Sequence, residues 1–161
     1  MTLKKNISPL VLHPLGNGYI AIGHKPGGKI SYDLLKQNGI TTVITLLHQH
    51  EGALIVQNKL SKLGIEWIWF PFSASNPPQG DELKKVTHLY VRLKEKLENS
   101  GVIYIHCSAG IHRTGMITYG LLRFLGNDVV TSHQILLKLR QVASEQAGEE
   151  RLKWGDLFYN H

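Results

Sequence analysis

The chain has 161 residues, a formal net charge of +6 and a sequence pI of about 9.5. With 42% hydrophobic and 19% charged residues it fits one globular domain over residues 1–161 with a single core, which excludes a disordered or collagen-like chain. The basic balance favours anionic partners, and a single cysteine, Cys107, excludes an internal disulfide and fits a reducing compartment.

The N-terminus carries Lys4 and Lys5 but no long apolar run, a poor signal peptide. No stretch approaches the roughly 20 apolar residues of a membrane span. A cytoplasmic protein is expected. A lead-in over residues 1–17 holds a short strand near Val11–His13, and Tyr19–Gly23 reads as a second strand. Ile30–Asn38 reads as a short helix stopped by Gly39. Thr41–Leu47 is a β-branched apolar run of the kind found in buried central strands. Ala53–Leu63 is a helix ended by Gly64. Ile65–Phe70 is a strand, and Pro71 with the turn-rich Ser73–Gly80 segment follows it.

In Asp81–Asn99, Leu83, Val86, Tyr90, Leu93 and Leu97 draw one apolar stripe along a helix. Gly101–Ile105 is the next strand and Arg113–Leu125 the next helix, running into Gly126. Thr131 and Gln134 form a capping-box pattern for a helix whose inner face is Ile135, Leu136, Leu139 and Val142. A last helix covers Glu149–Tyr159. Alternating strands and helices predict an α/β fold: a mixed, centrally parallel sheet with helices on both faces. Ligands of such sheets bind beyond the carboxyl ends of the strands.

The segment His106-Cys-Ser-Ala-Gly-Ile-His-Arg-Thr-Gly115 lies between an apolar strand and an apolar helix. Backbone N–H groups of such a loop and first helical turn have no intrahelical partner and can converge on one anion. Those of Ser108, Ala109, Gly110, Ile111 and His112 are the candidates, with Gly110 allowing the loop to curl. Arg113 offers a planar fork that matches two phosphate oxygens. The same surroundings favour a thiolate at Cys107, the nucleophilic form of cysteine. His106 can orient the loop from behind, and Thr114 can give its hydroxyl proton to the sulfur.

At every fixed position these residues resemble the protein tyrosine phosphatase signature, H-C-x-x-G-x-x-R-S/T-G. Length and element order resemble the compact, atypical dual-specificity phosphatases. The motif lies two-thirds along the chain, unlike the low-molecular-weight type, and Lys4-Lys-Asn6 is too weak a trace for a phosphotyrosine-recognition loop. The resemblance implies a phosphocysteine intermediate on Cys107, phosphoryl binding by Arg113, and no metal or other cofactor. The implied partner is a phosphorylated protein or other anionic phosphate ester. No stable nucleic-acid binding is expected, and a monomer is.

The departure from the family pattern concerns the general acid, an Asp on a loop upstream of the signature. Here Pro71-Phe72 is followed by Ser73, Ala74 and Ser75, none a proton donor at neutral pH. Asp81 is the next candidate, weighed against service as a helix N-cap, with Glu82 a weaker substitute. His48-Gln-His50-Glu51 follows a strand and is expected on the site rim, as a polar loop rather than a metal site. Trp67 and Trp69 alternate along a strand, read as core and sheet face. Two other readings stand beside a protein phosphatase. One is a same-fold enzyme acting on an inositol phosphate, a phosphoinositide or an RNA 5′-triphosphate, although the signature loop lacks extra lysines. The other is a catalytically weak phospho-binding module. A rhodanese-like sulfur-transfer domain fits Arg113-Thr-Gly less well.

Overall fold

The computed structural model describes residues 10–160, so the Lys4-Lys-Asn6 trace lies outside the described residues. Five strands form one sheet in the order β1-β2-β5-β3-β4. They are β1 (His13–Leu15), β2 (Gly18–Gly23), β3 (Thr42–Thr45), β4 (Glu66–Trp69) and β5 (Val102–His106). β2, β5, β3 and β4 run parallel, while β1 pairs antiparallel with β2. The first strand thus lies two residues beyond its expected place, pulled there by the tight turn back into Gly18–Gly23. Pro14 is tolerated because β1 is an edge strand.

Every side chain of β3 is buried, as its β-branched run predicts for a strand covered on both faces. On one face α1 (Tyr32–Gln37) and α2 (Ala53–Lys62) enclose Leu35, Val56 and Leu60 against Ala21, Val43 and Tyr104. On the other, α3 (Leu83–Glu98) and α4 (His112–Phe124) close a larger core over Ile20, Ile22, Ile44, Ile103 and Ile105. The α3 stripe is realised by Val86, Leu89, Tyr90, Leu93 and Leu97, with Leu83 only partly buried. α4 is sandwiched between the sheet and the C-terminal segment, so Thr114 through Arg123 are all buried.

The C-terminal third departs from expectation in three places. α5 (Val129–Leu139) begins earlier than a Thr131–Gln134 capping box requires, because the Asp128 carboxylate accepts the Thr131 N–H at 2.7 Å and caps the helix itself. The inner face is Ser132, Leu136 and Leu139, with Ile135 only half-buried. Val142 belongs to a separate helix, α6 (Gln141–Gln146), since Arg140 is extended with φ −165° and breaks the run. The last helix is α7 (Glu149–Lys153), which tightens into a 3₁₀ turn over Trp154–Phe158. No helix among the described residues is long and apolar enough to cross a membrane.

Candidate active site

The carboxyl ends of the four parallel strands converge on one site, joined by Arg140 after α5 and Arg151 on α7. β5 ends at His106 and leads into the Cys107 loop, β3 leads to the His48–Glu51 segment, β2 to His24 and Lys25, and β4 to Ser73–Ser75. Cys107 is 4% exposed, at the bottom of the loop. Thr114, fully buried on the first turn of α4, donates its hydroxyl to Cys107 Sγ at 3.1 Å.

The loop is held open by what it gives away. Its carbonyls turn outward: Cys107 O to His106 Nδ1 at 2.9 Å, Ser108 O to the Lys25 N–H at 3.1 Å, Ala109 O to Arg140 Nη2 at 3.1 Å, and Ile111 O to the Gly115 N–H at 2.8 Å. The N–H groups of Ser108, Ala109, Gly110 and Ile111 donate to no protein acceptor among the described residues. Gly110 has φ +70°, and a Cβ there would land on the Gly23 carbonyl, so only glycine permits this close approach of loop to β2. His112 is exposed.

The tautomer of His106 follows from its neighbours. A carbonyl can only accept, so Nδ1 carries the proton given to Cys107 O, and Nε2 must accept. Thr45 Oγ1 supplies that hydrogen at 2.7 Å, and Thr45 in turn accepts from Trp67 Nε1 at 2.8 Å. The ring is fully buried, and burial, with Lys25 and Arg113 nearby, pushes its pKa down to about 4 despite the bond to the Cys107 carbonyl. It is a neutral strut. Trp69 Nε1 donates to Leu47 O at 2.7 Å, so both tryptophans pin the segment leaving β3.

Arg113 donates Nη1 to Leu46 O at 3.2 Å and to Glu51 Oε1 at 2.9 Å, and Nη2 to Glu51 Oε2 at 2.8 Å. Of the five N–H bonds of a guanidinium these use three, leaving Nε–H and one Nη2–H side by side on one edge. The hydrogen bonds from Arg113 hold the Glu51 carboxyl at about 2, well below the usual carboxylate range. Lys25 Nζ donates to Glu51 O at 2.9 Å and fixes the segment further. Sequence reasoning put this segment on the rim but missed the Glu51–Arg113 pair, and it missed Lys25, Thr45, Arg140 and Arg151 altogether. Only the strand-end rule flagged their neighbourhood.

An open cleft of about 490 Å³ runs from Arg113 past His48, His50, Glu51, Ser73, Ala74, Ser75 and Arg151. Asp81 is not among these lining residues. It sits exposed in a 3₁₀ turn, Gly80–Glu82. Nor is it a cap: the cap positions fall on Gln79 and Glu82, and neither helix start has a side-chain cap bond.

A buried thiol in a strand–loop–helix turn whose N–H groups have no protein acceptor among the described residues, followed by an arginine held by a carboxylate, is the architecture of the cysteine-based phosphatases. The chain belongs to the family of polymorphic toxin system DSP-PTPase phosphatases (Tc-R-P), whose model matches residues 22–127, about two-thirds of its length. No curated protein matches the sequence. Among solved structures it is similar to a kinase-associated phosphatase bearing serine in place of its catalytic cysteine. The TM-score is 0.76 at 16% identity, covering 97% of this chain and 99% of that one. It is also similar to PTPMT1 in complex with PI(5)P, with TM-score 0.67, 15% identity, and 91% and 93% of the two chains covered. A third is the core catalytic domain of the PP-IP phosphatase SIW14 from S. cerevisiae in complex with citrate, with TM-score 0.62, 17% identity, and 92% and 84% covered. These likenesses bear on the fold, a compact dual-specificity-phosphatase architecture.

Proposed function

We propose that residues 1–161 act as a single catalytic domain that hydrolyses phosphate monoesters through a phosphocysteine intermediate. Cys107 is the nucleophile, Arg113 the phosphoryl clamp, Thr114 the hydroxyl that assists sulfur departure, and His106 the positioning residue beneath the loop. The N–H groups from Ser108 to Arg113 form the oxyanion cradle. The observation that carries this reading is the loop after β5: the Cys107, Ser108, Ala109 and Ile111 carbonyls are hydrogen-bonded within the protein, while the N–H groups of Ser108 to Ile111 have no protein acceptor among the described residues and Arg113 keeps one edge of its guanidinium unused.

In the first step the Cys107 thiolate attacks phosphorus, the S–P bond forms, and the P–O bond to the leaving group breaks with its electron pair on that oxygen. In the second, water attacks phosphorus and the S–P bond breaks. The departing thiolate accepts the Thr114 hydroxyl hydrogen bond, and the proton from water leaves with inorganic phosphate. Negative charge on the equatorial oxygens is met by fixed dipoles and by Arg113, which need no reorganisation during reaction. A catalytic thiolate survives in a reducing compartment, and we assign the enzyme to the cytoplasm on that ground.

The test is hydrolysis of an aryl phosphate in the presence of a chelator, with vanadate as inhibitor. Cys107→Ser is expected to abolish turnover while phosphate still binds, and Arg113→Lys to be severely impaired because an ammonium makes no two-pronged contact. Full activity in either variant overturns the reading.

A further inference from the structure

We propose that the cleft holds a second anion position, built by Arg151 and His50 beside the one at Arg113, and that the substrate is a diphosphate monoester whose terminal phosphoryl group passes to Cys107. The proposal rests on the phosphatase reading above and names its substrate class.

Charge bookkeeping along the cleft carries it. Glu51 is the only carboxylate among the lining residues, and Arg113 occupies both of its oxygens. Arg151 is exposed and, among the described residues, forms no ion pair and makes a single long hydrogen bond of 3.5 Å to Ala147 O one turn back on its own segment. A guanidinium in a phosphate-binding cleft without a counter-charge is a partner for a second phosphate. His48 and His50 stack with ring centroids 5.7 Å apart, and His48 Nε2 meets Ser73 Oγ at 3.3 Å, so both imidazoles are fixed on the same cleft. The guanidinium comes from α7 and the imidazole N–H groups from the segment after β3, so the signature loop needs no lysines of its own.

The chemistry of the leaving group points the same way. Ser73, Ala74 and Ser75 offer no carboxylic acid, and Glu51 stays ionised. An alkoxide leaving group needs a proton, whereas a phosphate leaves as a stable anion and needs charge stabilisation instead. A cleft with a spare guanidinium and no carboxylic acid matches an anhydride. The thiolate of Cys107 attacks the terminal phosphorus and the S–P bond forms. The bridging P–O bond breaks with its electron pair on the bridging oxygen, which leaves as a phosphate monoester held by Arg151. Water then cleaves the S–P bond to release inorganic phosphate and the thiolate, its proton passing to solvent.

Two sources share this chemistry, nucleoside diphosphates and diphosphoinositol phosphates, and separate assays distinguish them. kcat/KM is measured on the full chain for an aryl monophosphate, for ADP against AMP, and for a diphosphoinositol phosphate against the same inositol phosphate without the β-phosphate. At least one diphosphate is expected to exceed its monophosphate counterpart by about tenfold or more. Arg151→Gln is expected to lower that diphosphate value, mainly through KM, by about tenfold beyond its effect on the aryl monophosphate. Arg151→Lys recovers part of the loss, and Lys153→Gln, on the exposed side of the same helix, changes nothing. No diphosphate preference, equal losses on all substrates, or a preference seen only with doubly phosphorylated peptides overturns the proposal. A second measurement does not need turnover: calorimetric titration of Cys107→Ser with pyrophosphate and with phosphate. Pyrophosphate is expected to bind about tenfold tighter, and adding Arg151→Gln to erase the difference. Equal binding overturns the proposal, whereas a failure of aryl phosphate hydrolysis alone falls on the phosphatase reading.

Discussion

Glu51 grips Arg113 with both carboxylate oxygens, at 2.9 and 2.8 Å, across 62 positions of sequence. The pair fixes the guanidinium plane end-on and leaves its Nε edge unused. The phosphate binding proposed for Arg113 therefore depends on a residue that follows a different strand.

Glu51→Gln is expected to lower kcat/KM on an aryl phosphate about 10- to 100-fold, the worth of one charge-assisted hydrogen bond of about 1.5–3 kcal/mol. The same variant reports on stability. The folded carboxyl titrates at about 2, below its ordinary 4.5, so the unfolded chain binds the proton more readily. The stability Glu51 contributes is complete above pH 4.5 and is lost as pH falls toward 2. Urea denaturation as a function of pH should show that slope in the wild type and a flatter one in Glu51→Gln.

His106 acts in a different window. Its folded pKa is about 4 against an ordinary 6.5, because the buried ring resists protonation. Stability from the neutral ring is complete above pH 6.5 and lost as pH falls toward 4. His106→Asn should flatten the stability profile in that range. An unchanged slope would show that the ring is not held neutral.

Thr45→Val removes the hydroxyl that donates to His106 Nε2 and accepts from Trp67 Nε1. Each orphaned buried group costs about 1–3 kcal/mol, so a clear drop in the urea midpoint is expected. Thr45→Ser should recover most of it.

Thr114→Ala should slow breakdown of the phosphoenzyme more than its formation, since its hydroxyl hydrogen-bonds the sulfur and no other group among the described residues. Rapid-quench kinetics should show a burst of aryl product followed by a steady state reduced about tenfold, with recovery in Thr114→Ser. Equal slowing of both phases would make Thr114 a packing residue.

Asp81→Asn is expected to change aryl phosphate turnover by less than about threefold, far from the roughly 10²–10⁴-fold worth of a positioned proton donor. The reason is position: Asp81 is exposed on the Gly80–Glu82 turn. A large loss that grows as the leaving group worsens would show that the turn reaches the substrate.

Much of this enzyme was legible in one dimension. The strand–loop–helix context of His106–Gly115, the strand β3 and the α3 stripe are local patterns, because side-chain period and turn chemistry act over a few neighbouring residues. The same locality misled at Asp128, where the capping signal at Thr131 and Gln134 outweighed a better cap three residues earlier. Tertiary structure alone decided which charges meet. Glu51 bonds Arg113, Arg140 bonds the Ala109 carbonyl, and Arg151 joins the cleft lining from α7, and nothing in their local sequence marks them. Parallel strands deliver their carboxyl ends to one edge of the sheet, so residues far apart in sequence converge there. Sequence alone pointed to Cys107 and Arg113 as nucleophile and clamp, whereas folding decided what holds Arg113, which tautomer supports the loop, and that Asp81 sits exposed on a 3₁₀ turn.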